Sequence, residues 1–471
     1  MDNFLDNRQI AEILKEAQKT GADFAEIFLE DKHTCSINSD GGKIERLNGG
    51  ESYGLGLRII EGEKTAYAST NDLNYDNLLK IAQKTAQAIR GDAKEINLSF
   101  EKPVVQKSAA QIRPESIDLD EKIAQVKLCD QAALAEDKRI KRTMVSYSDV
   151  NQHVLIANTN GLWVDDERIR TRIAINAIAQ DESQMQTGFE SAGGSVGFEL
   201  LNADTAQILG QKAAKRAVNL LSAKPCPGGK MPVVLSSQAG GTMVHEACGH
   251  GLEGDLVEKG MSAYKNRLGE KVAAECISVV DDATLDGKYG SYAYDDEGAK
   301  SKRNTLIKDG VLENYMYDYH TAQKVGASST ANGRRESYRK KPVTRMSNTL
   351  ILPGKDDPEK IIASVQKGLL VTKMGGGQVN TLSGDYVFDV SEGYMIINGE
   401  IAYQVKGATL AGNGPQSLQN VEMIGNDLGF AIGTCGKSGQ SAPVADAQPT
   451  LKINDLVVGG TVSGDFVIER R

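Results

Sequence analysis

The chain has 471 residues, a length that exceeds one ordinary hydrophobic core and predicts at least two domains. Its composition, 40% hydrophobic and 25% charged, is typical of a folded globular protein. The 54 Lys and Arg against 63 Asp and Glu give a formal net charge of −9, which argues against direct contact with nucleic acid.

The first half of the chain alternates helices with groups of strands. Apolar periodicity predicts a helix over residues 10–20, strands at 24–29, 33–38, 43–47, 52–60 and 63–68, and a helix over 73–90. After a polar stretch near 92–115, which we interpret as a connector, the order returns: a helix at 117–136, strands at 143–148, 153–158, 162–179 and 188–198, and a helix at 203–222. We therefore predict an N-terminal α+β domain over 1–224, with a possible internal duplication.

The second half has a different character, beginning after the turn Pro225-Cys226-Pro227-Gly228-Gly229. Short strands separated by glycine turns are predicted at 231–235, 276–281, 304–308, 311–316, 385–390, 393–398, 400–405, 455–459 and 465–468, with one helix at 357–367. We expect residues 225–471 to form a β-rich domain, a curled sheet or barrel, and the fold class to be α+β.

Two targeting features are missing from the sequence. No apolar run approaches the ~18 residues that cross a bilayer, and the first residues lack the basic start and apolar stretch of a signal peptide. The six cysteines form no Cys-x-x-Cys pair and no dense framework. We therefore expect no membrane segment and a cytoplasmic protein whose thiols stay free to bind metal.

The segment His245-Glu246-Ala247-Cys248-Gly249-His250 has the residue types of a metal site. A catalytic zinc takes three protein ligands and keeps one position open, and a nearby carboxylate accepts the proton of its water. His245 and His250 are candidate ligands, and Glu246 is the candidate general base. A spacing of five residues would place the histidines about 140° apart on a regular helix, against about 40° for a spacing of four.

Two local conformations would bring the histidines together. A π-bulge would absorb one extra residue and realign the imidazoles. Alternatively the helix ends at Gly249 and the chain folds back, with Gly249 and Gly251 in conformations closed to other residues. Both remain open from the sequence.

The spacing does not determine a third ligand. Cys248, Glu253, Asp255, His320 and Cys435 all qualify chemically. Glu253 or Asp255 could instead accept a hydrogen bond from an imidazole N–H. Cys435 lies in a glycine-lined turn, and Lys437 two residues later could favour its thiolate form.

The segment from His245 to Asp255 resembles the HExxxH signature of the TldD/PmbA metalloprotease family. Further segments similar to TldD follow in order, at 294–298, 332–338, 375–379, 405–410, 421–427 and 435–441. The family has a TldD type with the metal motif and a PmbA (TldE) type without it. Since both histidines, Glu246 and the downstream Cys435 are present, the chain is similar to the catalytic type.

The resemblance implies zinc held by His245, His250 and Cys435, with Glu246 as the general base. It implies an α/β N-terminal region, a β-rich C-terminal domain with the metal site, and a dimer with a PmbA/TldE-type paralogue or with itself. It also implies hydrolysis of unfolded or extended peptides in the cytoplasm. Such a substrate would pair with an exposed strand, and residues 375–379 and 295–298 are candidates to line its path.

Three other functions are alternatives to a peptidase. One is a non-catalytic, metal-containing chaperone or toxin–antitoxin adaptor, which a closed four-ligand site would favour. Another is a metallohydrolase of small amides, which a narrow pocket would favour. The third is nucleic-acid work, suggested by an older association of the family with modulation of DNA gyrase. The acidic charge and the lack of a recognised binding motif argue against direct DNA contact.

Overall fold

The computed structural model describes residues 5–89, 98–101 and 104–461. The helices in these ranges are α1 (Asn7–Gln18), α2 (Tyr75–Ala86), α3 (Leu119–Glu136), α4 (Ala203–Ser222), α5 (Thr242–Val244), α6 (Gly254–Glu258), α7 (Tyr319–Val325), α8 (Pro358–Ala363) and α9 (Gly414–Gln419). None of them is long and apolar enough to cross a membrane.

The strands of the first half are β1 (Phe24–Asp40), β2 (Lys43–Glu61), β3 (Lys64–Thr70), β4 (Val104–Gln106), β5 (Ile140–Asn158), β6 (Trp163–Gln180) and β7 (Met185–Gly194). Those of the second half are β8 (Lys224–Pro225), β9 (Gly229–Leu235), β10 (Val279–Asp282), β11 (Arg303–Lys308), β12 (Val311–Leu312), β13 (Gly333–Arg334), β14 (Val343–Thr344), β15 (Asn348–Ile351), β16 (Lys367–Val379), β17 (Asp385–Ile397), β18 (Glu400–Lys406), β19 (Thr409–Asn413), β20 (Val421–Ile424), β21 (Gly429–Lys437), β22 (Gln440–Gln448) and β23 (Leu451–Gly459).

The first half forms one seven-stranded sheet in the order β3-β2-β1-β5-β6, with β4 and β7 both on β6. Helices α1 and α2 pack apolar side chains such as Ile13 and Leu78 against one end of the sheet, and α3 and α4 pack against the other. On the opposite face, Phe28 and Ile156 of the sheet pack with Tyr338 from the second half. The central strands are therefore covered on both faces, which holds the two halves together.

The first half contains the same order of elements twice: a helix, three strands and a helix. The two copies are α1-β1-β2-β3-α2 and α3-β5-β6-β7-α4. This is the repeated order that the sequence predicted, while the duplication itself stays a prediction. The stretch interpreted as a connector contributes β4, which pairs in parallel with β6.

The second half contains a closed five-stranded barrel. Its strands follow the circle β16-β9-β23-β19-β17, and pairing of β17 with β16 closes it. Side chains such as Val233, Phe388 and Ile453 belong to its buried core. The α+β class with a barrel-like second half is thus confirmed. A separate six-stranded sheet, β12-β11-β10-β15-β22-β21, places β21 at its edge.

Several predicted boundaries were wrong. Pairs of predicted strands at 24–38, 43–60, 143–158 and 385–398 are single long strands, because pairing with neighbours carries them through their polar middles. The strand predicted at 311–316 stops at Leu312, and the helix predicted at 357–367 ends at Ala363. The strand predicted at 465–468 and parts of the connector lie outside the described residues.

Candidate metal centre

The chain around His245 is one helical segment that changes its pitch. Helix α5 leads into a π-helical turn over His245–Gly249, followed by a 3-10 turn over His250–Leu252. The His250 N–H donates to the His245 carbonyl, the five-residue hydrogen bond of a π-helix. The imidazoles therefore lie side by side, with ring centroids 4.9 Å apart and planes at 90°. Of the two conformations considered, the π-bulge is the one observed.

The glycines beside His250 serve a different purpose from the one predicted. Gly249 has helical dihedrals, φ −51° and ψ −58°, and neither it nor Gly251 has a positive φ. The chain-reversal alternative is therefore wrong. A Cβ at Gly249 would lie 2.2 Å from the Met346 Sδ, and one at Gly251 would lie 2.7 Å from the Tyr264 ring. The glycines are required for space, because the π turn is packed tightly on its neighbours.

The thiol of Cys435 lies close to the two imidazoles. Located on β21, it brings its Sγ to 3.4 Å from the His250 Nε2. One donor atom each from His245, His250 and Cys435 lies within 4.8 Å of the others. His245 and Cys435 are each only 5% exposed. Two imidazoles and a thiol converging at this distance form a donor set of the type that binds zinc.

Each imidazole is held by a buried carboxylate. The Nδ1 of His245 is 2.7 Å from the Asp446 Oδ1, and the Nδ1 of His250 is 3.0 Å from the Glu253 Oε2. When Nδ1 carries the proton donated to the carboxylate, Nε2 presents its lone pair to a metal. Glu253 is therefore an imidazole partner, one of the two roles considered for it.

Asp446 was missed by the sequence analysis. It stands 201 residues after His245 on β22, the strand that pairs with the strand carrying Cys435. The available signal was an isolated acid between Ala445 and Ala447 in an apolar stretch.

The other candidate ligands lie outside the cluster. The Cys248 Sγ contacts the Val244 carbonyl, and burial raises the pKa of this thiol to about 12. His320 bonds through Nε2 to the Gly62 carbonyl, 3.1 Å away. Asp255 accepts a hydrogen bond from the Lys437 Nζ at 2.5 Å.

Lys437 does not stabilise the thiolate of Cys435, contrary to the prediction. Its ammonium contacts Asp255, Glu253 at 3.1 Å and the Thr344 carbonyl at 2.9 Å. Burial by itself would raise the pKa of Cys435, but the two imidazoles outweigh it and lower this pKa to about 5. The histidines therefore favour the thiolate, whereas the lysine neutralises the carboxylates behind them.

Glu246 faces the open side of the cluster. It is half-buried and lines the same cleft as His245 and His250. Burial raises the pKa of its carboxyl group above the ordinary value, against the opposing effect of the nearby imidazoles. A carboxylate of raised pKa beside three metal-type donors can accept and return a proton near neutral pH.

The cleft over the cluster has a volume of about 730 Å³. One wall is Gly375–Val379 and the other is the part of β21 from Ala431 to Lys437. The cleft continues into a groove of about 1190 Å³, with which it shares Thr242, Gly375, Gly376, Ala431 and Ile432. Of the two segments expected to line a peptide path, 375–379 borders this cleft, while Asp295 and Asp296 line a different pocket.

Three family models match consecutive parts of the chain. The PmbA/TldA metallopeptidase domain 1 covers residues 25–89, the central domain covers 112–221 and the C-terminal domain covers 228–460. The chain belongs to the TldD/PmbA metallopeptidase family. The TldD/PmbA relatives include the metalloprotease TldD homolog of Haemophilus influenzae, 38% identical over 93% of each chain.

More distant TldD/PmbA relatives also match nearly the whole chain. The zinc metalloprotease TldD homolog of Saccharolobus solfataricus is 26% identical, over 95% of this chain and 99% of its own. A solved structure from Thermotoga maritima, named as a modulator of a DNA gyrase, matches with a TM-score of 0.79 at 23% identity, over 96% of this chain and 99% of its own. The structural match shows the fold, and the metalloprotease names support a metal-dependent peptidase.

Proposed function

We propose that this chain is a zinc-dependent metalloprotease that hydrolyses peptide bonds of unfolded or extended peptides. The observation that carries the proposal is the convergence of His245, His250 and Cys435 beside Glu246 at the base of an open cleft. Imidazole nitrogens and a thiolate are donors that suit zinc, and three protein donors leave a fourth position free. The zinc in the name of the Saccharolobus solfataricus relative is consistent with this choice.

A zinc ion held by these side chains would polarise the scissile carbonyl and lower the pKa of the attacking water. Glu246 accepts the proton from that water and later returns it to the leaving amine. Asp446 and Glu253 keep the Nδ1 atoms protonated, so that both Nε2 atoms face the cluster. The burial that raises the pKa of Glu246 brings it closer to the working pH of a general base.

The position of β21 at the edge of its sheet is consistent with an extended peptide as the substrate. It pairs with β22 on one side, and no other strand of the described chain pairs with its outer edge. Because β21 also lines the metal cleft, a peptide added along this edge would pass the cluster. Pairing through backbone groups would bind many sequences, whereas a narrow pocket for small amides would lack such an edge.

Assembly and location are parts of the same proposal. We propose a cytoplasmic dimer, formed with a PmbA/TldE-type paralogue or with a second copy. The six cysteines are all free thiols, which is consistent with a reducing compartment. The mass in solution, measured with and without the paralogue, tests the assembly.

Replacement of Glu246 tests the catalytic assignment. Glu246→Gln should retain zinc, because the residue is not a ligand, while cleavage of an unstructured fluorogenic peptide falls about 10²–10⁴-fold. Glu270→Gln is the matched control, since Glu270 is an exposed partner of Arg267 outside the cleft. Undiminished cleavage by the Glu246→Gln variant would contradict the proposed role of Glu246 as the general base.

A further inference from the structure

A second pocket borders the metal cleft. It has a volume of about 210 Å³ and lies between β6 of the first sheet and residues of the second half. Thr434, next to Cys435 in sequence, lines both the pocket and the cleft. A group bound in this pocket would therefore lie close to a peptide that crosses the metal centre.

One wall of the pocket carries three arginines of β6. Arg168, Arg170 and Arg172 occupy alternate positions, so they project from the same face of the strand. Arg168 is neutralised by Asp166 and Asp296. The other two have no carboxylate within salt-bridge distance in the described part of the chain.

Arg170 and Arg334, across the pocket, are fixed by main-chain oxygens. The guanidinium of Arg170 donates to the carbonyls of Tyr289 and Ser291, at 3.2 and 3.0 Å. That of Arg334, which is 5% exposed, donates to the Met346 carbonyl at 2.7 Å. Burial and the nearby Arg334 charge both lower the pKa of Arg170. The pocket thus holds cations that repel one another.

Arg172 extends this positive surface toward the metal centre. Its Nη1 lies 3.5 Å from the Thr434 hydroxyl, and its buried Nε has no hydrogen-bond partner in the described structure. The orphaned donor points to a missing acceptor, because a buried polar group without a partner is costly.

The Asp296 charge favours the charged forms of Arg170 and Arg334, but no acid of the described structure forms an ion pair with either of them or with Arg172. Asp296 is engaged by Arg168 and by the Arg335 N–H. Asp295 accepts from the N–H groups of residues 297, 299 and 333, and burial raises its pKa. Glu336 is exposed. Arg170, Arg172 and Arg334 therefore lack an ion-pair partner in the described structure, and they line the same pocket together with Lys32.

We propose that this pocket binds a carboxylate of the peptide substrate, through the guanidinium groups of Arg170, Arg172 and Arg334. Arginine presents planar donors that match a carboxylate, and a bound anion would relieve the repulsion between the buried cations. The inference rests on the proposed peptidase activity and specifies its substrate. The carboxylate belongs to the C-terminus of the peptide or to an acidic side chain near the scissile bond, because Thr434 adjoins both sites.

Two peptide pairs distinguish these sources. The first pair has the same sequence without Asp or Glu and ends in a free acid or an amide. The second pair is amidated and carries Glu or Gln beside the scissile bond. Loss of the carboxylate should lower kcat/KM about ten- to a hundred-fold in one pair, the range for a hydrogen bond to a charged group. The pair that responds identifies the source, and a difference under twofold in both pairs would overturn the proposal.

Replacement of Arg172 tests whether the preference for a carboxylate arises in this pocket. Arg172→Gln should reduce the ratio of acid to amide in the responding pair, and it leaves the main-chain bonds of Arg170 and Arg334 intact. Arg267→Gln is the control, because Arg267 pairs with Glu270 outside the pocket. An unchanged ratio in Arg172→Gln, with the protein folded by circular dichroism, would contradict the assignment.

A binding measurement separates this inference from the proposed function. The zinc-loaded Glu246→Gln protein should bind a fluorescent free-acid or Glu peptide more tightly than its amide, as measured by anisotropy. If the wild-type protein cleaves none of the peptides but this binding preference is present, the peptidase proposal fails and the carboxylate site stands. If cleavage occurs without any such preference, the carboxylate site fails alone.

Discussion

Replacement of Gly249 by alanine tests whether close packing, rather than backbone freedom, is what the π turn requires of this residue. The new Cβ would lie 2.2 Å from the Sδ of Met346, a side chain with 0% exposure. Comfortable contacts between such atoms are about 3.5–4.0 Å, so the overlap is roughly 1.3–1.8 Å. Because helical dihedrals suit alanine, the backbone does not oppose the substitution, and any loss of stability comes from the steric contact.

The expected cost follows from this overlap. Extra atoms in a packed interior cost about 1–3 kcal/mol, and the strain acts on the turn that places His250 beside His245. Gly249→Ala should therefore lower the free energy of unfolding by this amount and weaken zinc binding. Denaturant unfolding and a competitive zinc titration measure the two effects.

A double-mutant cycle with Met346→Ala identifies the cause. Met346→Ala alone leaves a cavity and should cost about 2–5 kcal/mol. The double variant should be destabilised by less than the sum of the single variants, because the alanine methyl occupies part of the vacated space. Additive costs, or a neutral Gly249→Ala, would refute the steric explanation.

Three further predictions concern the metal centre. Asp446→Asn should weaken zinc binding about 10–100-fold, because the neutral amide holds the Nδ1–H of His245 less strongly; retention of full affinity in a zinc titration would contradict its role. Cys435→Ala removes a ligand and should reduce zinc content more than Asp446→Asn does, whereas His320→Ala should leave it unchanged; metal analysis of the purified variants checks this order. Apparent zinc affinity should rise with pH between about 5 and 9. In the metal-free protein burial favours neutral His250, but Glu253 and Cys435 raise its pKa to about 9, so protons compete with zinc until they leave the imidazole. Affinity that is constant from pH 6 to 8 would contradict this.

The local sequence pattern was sufficient to predict those elements that have a clear periodicity of their own. Helix α4 spans Ala203–Ser222, the range predicted from its apolar stripe. The barrel-like second half followed from short alternating strands and glycine turns, because a strand with one buried face must close against others. The candidate ligands His245 and His250 were evident because two histidines flank a glutamate within six residues.

Other features depend on contacts between distant residues. The parallel pairing of β15 with β22 and the position of β21 at a sheet edge leave little trace in local periodicity. The sequence predicted a lysine-stabilised thiolate, yet the tertiary structure turns Lys437 toward Glu253 and Asp255. Proximity along the chain does not determine which charges meet in the folded state.

The sequence by itself determined the chemistry available to this protein: two imidazoles, a carboxylate and a thiol of the types that hold and serve a catalytic metal. It also posed the geometric problem of a five-residue spacing without solving it. Only the tertiary structure shows which conformation the segment adopts, a π turn whose Gly249 and Gly251 pack closely against Met346 and Tyr264. Only the structure brought in Asp446, since a sheet register joins residues that are 201 positions apart.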